Sequence, residues 1–145
     1  MNQKPVLFYD GCCGFCNPMV RLIARLDRTK QVCFAPIQSN LGKHVIEQHP
    51  ELRSVDTAFV MDKDKRGNER ITWKSSIPAR LGEYVAWPAK LFFLPFKLLP
   101  RTVGDRIYEL IAKYRYKFFP QHETCPLPTP ALRSRFADEC NELIA

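Results

Sequence analysis

Residues 5–29 constrain the fold more than any other stretch: an apolar run of strand length, a tight turn rich in cysteine and an amphipathic helix follow one another without a gap. Pro5–Tyr9 is apolar and ends at Asp10-Gly11, a turn pair, so a strand that stops sharply is expected there. Met19, Val20, Leu22, Ile23 and Leu26 then recur at helical spacing, which predicts a helix over about 14–27. Pro18 falls in its first turn, where a missing N–H has no intrahelical partner to lose. Cys13-Gly14-Phe15-Cys16 spans the junction. A Cys-x-x-Cys pair between a strand and a helix is a place for thiol redox chemistry, because the unpaired N–H groups and dipole at the helix start favour a thiolate.

The next apolar runs extend this unit. Gln31–Ile37 reads as a second strand, so the first thirty-odd residues form a βαβ unit with parallel strands and a right-handed crossover. Residues 39–48 read as a helix, capped by Ser39 or Asn40 and ended by Pro50. Thr57–Asp62 and Glu69–Trp73 flank a polar turn containing Gly67, the pattern of a hairpin. A helix follows from Ser75 or Ser76, whose hydroxyls are candidate caps, with Leu81, Tyr84 and Val85 on its buried face. The order is β-α-β-α-β-β-α in an α/β fold with a mixed four-stranded sheet. From Trp87 the pattern is helical: an apolar segment at residues 90–99, a helix over 102–118, a proline-rich loop at 120–130 and a last helix over 131–144. A single domain over 1–145 is expected, with a core at about 1–86 and a helical extension at about 87–145.

The chain carries 22 Lys and Arg against 15 Asp and Glu, a net charge of +7. No nucleic-acid-binding motif accompanies that charge, so a solvated basic surface is preferred to a nucleic-acid partner. Residues 87–99 have two readings: an amphipathic element in weak contact with an anionic membrane surface, or a helix packed across the core, which is preferred. No apolar leader with a cleavage site opens the sequence, and a cytoplasmic protein is expected. Six cysteines in such a chain point to reactive or metal-binding thiols, not a disulfide framework. Cys12 and Cys33 read as packed thiols, Cys12 with a redox role as its alternative, and Cys140 as structural. His44, His49 and His122 are scattered, no zinc-ligand spacing is present, and the cysteines match no common iron–sulfur pattern, so neither metal nor cofactor is expected.

The stretch Asp10-Gly11-Cys12-Cys13-Gly14-Phe15-Cys16 resembles the Asp-x-x-Cys-x-x-Cys signature of the DCC family, thiol-disulfide oxidoreductases of the thioredoxin-like superfamily. Lys74-Ser75-Ser76, Asp105-Arg106-Ile107-Tyr108, Ile111-Ala112-Lys113, Arg115-Tyr116-Lys117 and Cys125-Pro126-Leu127-Pro128 resemble further family elements. The element order derived above is the thioredoxin-like one. The resemblance implies Cys13 and Cys16 as the redox pair and Asp10 as the signature acid. Asp10 has an equal alternative as a turn residue bonding to local N–H groups. Thioredoxins carry a cis-proline facing the cysteine pair; here Val55-Asp56-Thr57 stands in that stretch, and Thr57 is the candidate for the facing position. Phe15, Thr57 and Cys125 are the candidate substrate contacts.

The expected chemistry is exchange with a disulfide-containing protein or a small thiol substrate. Cys13, expected to be the more exposed, attacks as thiolate; Cys16 resolves the mixed disulfide; Asp10 handles the Cys16 proton. The alternative is a non-catalytic module on the same fold, held to a partner or an anionic membrane by its basic helical third.

Overall fold

The computed structural model describes residues 4–54, 58–120 and 129–136. Strands β1 (Val6–Tyr9), β2 (Cys33–Pro36), β3 (Ala58–Lys63) and β4 (Glu69–Trp73) form one mixed sheet in the order β2-β1-β3-β4. β1 pairs parallel with β2 and antiparallel with β3, and β3 pairs antiparallel with β4. Helices α1 (Cys16–Leu26), α2 (Asn40–Gln48) and α3 (Ser76–Leu81) complete the thioredoxin-like core, followed by α4 (Lys90–Leu98), α5 (Arg101–Phe118) and the short α6 (Pro130–Arg133). A 3-10 turn at Pro50–Ser54 follows α2.

β1 is the central strand, buried at all four positions. Its side chains alternate between the two faces of the sheet and so divide the core. Leu7 and Tyr9 pack with Val20 and Ile23 of α1, Leu81 of α3 and Phe93 of α4. Val6 and Phe8 pack on the other face with Val45 of α2, Leu52 and Phe59. Phe8 and Phe59 are register partners, their rings stacked at 4.7 Å between centroids. With helices on both faces, an unbroken apolar run is what such a strand requires.

Ser39 caps α2 as expected, its Oγ accepting from Gly42 N at 3.1 Å. The expected hydroxyl cap on α3 is absent: Ser75 instead donates to Asp105 of α5 at 2.5 Å, so docking of the extension takes the hydroxyl. Lys74 meets Glu109 of α5 at 2.9 Å. A buried cluster on the third strand holds α3: Asp62 pairs with Arg80 and accepts from Tyr84 Oη at 2.7 Å.

The last helix also departs from expectation. It ends at Arg133, and Arg135 and Phe136 are not helical, because tertiary bonds claim them. Phe34 N donates to Arg135 O at 3.0 Å, and Phe34 bridges Phe136. The buried Arg135 guanidinium pairs with the buried Asp27 carboxylate, donates to Ala24 O and Val32 O, and lies 5.0 Å from the Phe34 ring centroid. Residues 55–57, 121–128 and 137–145 of the expected third strand, proline-rich loop and last helix lie outside the described residues.

Candidate thiol site

The turn between β1 and α1 is held from three sides. Cys13 N donates to Asp10 O at 3.2 Å, and Cys12 N donates to Asp10 Oδ1 at 3.0 Å, an Asx-type turn. Gln38, just past β2, donates to the same carboxylate at 2.7 Å and accepts from Gly11 N at 3.1 Å. Asn17 Nδ2 donates to Gly11 O at 2.8 Å and to Cys13 O at 3.2 Å. Asp10 therefore does build the turn, as one of its two sequence readings held. Gln38 and Asn17 were not singled out from sequence; an amide next to a turn gives no pattern until the fold closes.

Helix α1 begins at Cys16, two residues later than expected. Cys16 thus occupies its first turn, and Cys13 lies in the preceding turn. Both are unbonded thiols. Their exposure reverses the sequence expectation: Cys13 is 0% exposed and Cys16 8%. Cys13 belongs to the buried cluster around Leu7, Tyr9 and Val20, and the helical extension covers the two residues that follow it. The end of α5 lies over the turn so closely that a Cβ at Gly14 would stand 2.9 Å from Pro120 O, and the Phe15 ring packs on Phe119 at 5.5 Å. Phe15 is therefore in contact with the chain's own extension.

Cys16 borders a cavity of about 340 Å³ between α1, α3, α4 and α5, lined almost wholly by apolar side chains such as Tyr9, Val20, Leu81, Phe93 and Ile111. Burial pushes the Cys16 thiol from 9.0 up to about 12, helped by the neighbouring Cys13 thiol and by the Asp10 charge. The guanidinium of Arg115, buried at the same cavity, acts in the opposite direction. Cys16 thus keeps its proton beside Cys13, against the simple expectation that a helix start yields a thiolate. Tyr9 is likewise raised to about 12, mainly by burial and then by Cys16. Arg115 was not read as a site residue. The available signal was a charge four residues after Ile111, where the helical repeat places an apolar side chain.

Cys12 and Cys33 are each disulfide-bonded, which corrects their reading as packed thiols and the expectation that no structural disulfides occur. Disulfide formation needs a Cα separation of a few ångströms, set by tertiary structure and invisible in spacing along the chain. Thr57 and Cys125, two candidate substrate contacts, and Cys140 and His122 lie outside the described residues.

A family model described as DCC1-like thiol-disulfide oxidoreductase matches residues 7–121. The chain belongs to this family. It is 31% identical over 131 residues to YuxK of Bacillus subtilis, a protein described as uncharacterized, covering 90% of this chain and 92% of that one. It is 28% identical over 128 residues to a chloroplastic DCC family protein of Arabidopsis thaliana, covering 87% of this chain and 71% of that one. No solved structure matches. The family supports a general thiol-disulfide oxidoreductase role, and its match includes the whole turn from Asp10 to Cys16. No described helix is long and apolar enough to cross a membrane.

Proposed function

We propose that the protein exchanges thiols and disulfides through Cys13 and Cys16. The observation that supports this most is the pair itself: two unbonded thiols three positions apart at the strand–helix turn, electrostatically interacting, one of them holding its proton. Cys13 attacks a substrate disulfide as thiolate, forming a Cys13–substrate bond and expelling one substrate thiolate, which takes up a proton. Cys16 then loses its proton, with Asp10 as the proposed acceptor, and attacks Cys13 Sγ. The Cys13–Cys16 disulfide forms and the second substrate thiol leaves, so two electrons pass from protein to substrate. Arg115 favours the second step by stabilising the Cys16 thiolate. Attack by Cys13 requires the end of α5 to part from Gly14 and Phe15. The substrate is a disulfide-containing protein or a small thiol in its disulfide form. With Cys13 and Cys16 both unbonded, the resting form is the dithiol and the protein works as a reductant.

Reduction of insulin with glutathione as electron donor tests this. Cys13→Ser abolishes turnover, and Cys16→Ser accumulates a mixed disulfide with Cys13 visible by intact mass. Turnover by Cys13→Ser at the wild-type rate would exclude the pair.

A further inference from the structure

We propose that the outward face of α4 and α5 docks on an anionic lipid bilayer. Between Lys90 and Lys97, helix α4 is apolar on every side. Phe92, Phe93 and Phe96 line the cavity, while Leu91, Leu94 and Leu98 recur at three- and four-residue spacing on the other side and are exposed. A helix with apolar residues on every side is normally buried in something. Along α5, Val103, Ile107, Leu110, Tyr114 and Phe118 continue an exposed apolar stripe. Trp87, 75% exposed, stands at the start of this region, an aromatic of the kind that settles at the level of lipid headgroups.

Charge selects the occupant. Residues 87–118 carry seven Lys and Arg against two acids. Both acids are engaged with the core, Asp105 through Ser75 and Glu109 through Lys74. Lys90, Lys97, Arg101, Lys113 and Lys117 are exposed around the apolar side chains. A second copy of the chain on this face would set two basic surfaces against each other. An anionic bilayer satisfies both the apolar stripe and the cations around it, the combination that holds amphipathic helices in the interface plane. Phe92, Phe96, Ile107 and Ile111 are at once cavity lining and exposed surface, so the cavity that Cys16 borders reaches solvent along α4 and α5, beside the outward face. The thiol pair would then work against the lipid surface.

The full chain is mixed with phosphatidylcholine vesicles, with and without phosphatidylserine, and followed by co-sedimentation and tryptophan fluorescence. Binding to the anionic vesicles is expected to be at least roughly tenfold tighter, to weaken with added salt, and to bring a blue shift that Trp87→Phe removes. The double substitution Leu94→Glu with Leu98→Glu abolishes binding without changing the circular dichroism, since both side chains are exposed. Lys90→Gln with Lys97→Gln weakens binding with the apolar face intact. Equal affinity for both vesicle types overturns the proposal. So does an absence of binding accompanied by a dimer in light scattering that the double Glu variant dissolves, which would make a second copy the occupant.

Discussion

Phe8, Phe34 and Phe59 lose nearly all contact with water in the α/β core, whereas Trp87, Leu98 and Phe118 of the helical extension remain 72–77% exposed. The same class of side chain serves two purposes. In the core, each strand residue finds partners within the chain: β1 is covered on both faces, and Phe8 stacks on its register partner Phe59. In the extension, one side of α4 and α5 packs toward the cavity and the thiol turn, and the other is left for something outside the chain. The core carries the thiols; the end of the extension lies over the turn that holds them.

The largest expected effect tests this division through stability. Phe59→Ala removes a fully buried ring and should lower the unfolding free energy by about 3–5 kcal/mol in chemical denaturation. Leu98→Ala, of comparable chemistry, should change it by no more than about 0.5 kcal/mol. Similar losses for both would mean that the extension's outer face is packed in solution, and the contrast would fail.

Alkaline titration probes where the regions meet. In the reduced protein, folding raises Cys16 from 9.0 to about 12 and Tyr9 from 10.0 to about 12. Below about pH 9 the folded and unfolded chains both hold these protons, so the protonated pair's contribution is fully present. As pH rises toward 12 the unfolded chain releases them first, unfolding is favoured, and stability falls by a few kcal/mol. Cys16→Ala should flatten most of that fall, read as the denaturation midpoint against pH. Tyr9→Phe should remove a smaller part. A fall of the same size in the Cys16 variant would place the burial elsewhere.

The core was legible because its signals are local. The apolar runs of its strands, the turn chemistry at Asp10-Gly11 and the polar hairpin around Gly67 all agree with the final sheet. The Cys-x-x-Cys turn was visible for the same reason. What escaped were properties that exist only after distant segments meet. The cover over Gly14 and Phe15, next to Cys13, comes from Phe119 and Pro120, more than a hundred residues later. Arg135 looks like an ordinary residue of a last helix until Asp27 and Phe34 claim it. Arg115 breaks an apolar repeat for no local reason and acquires one beside Cys16. Ser75 looked like a cap and became an anchor for α5.

Covering the turn is the extension's clearest effect on chemistry. Phe119→Ala removes the ring that packs on Phe15 and should raise the alkylation rate of Cys13 by roughly tenfold, the equivalent of about 1.4 kcal/mol in the opening equilibrium. Peptide mass mapping separates Cys13 from Cys16. An unchanged rate would mean that Cys13 is reached by another route, and that α5 does not gate it.

The smallest expected effect concerns how firmly α5 is held. Its polar ties to the core include Lys74–Glu109, both side chains largely exposed, and Ser75–Asp105. The Glu109 carboxylate raises the Lys74 ammonium, and the Ser75 hydroxyl holds Asp105 below the usual carboxylate range. Exposed pairs of this kind contribute little, because water screens them and holding two long side chains costs entropy. Glu109→Gln should therefore leave global stability nearly unchanged. It should instead speed amide exchange in α5 by up to about fivefold while β1 exchanges as before, because a weak tether lowers the free energy of opening one element without touching the core. If β1 and α5 accelerate together, the two regions open as one unit, and access to Cys13 has to be understood as unfolding of the whole domain.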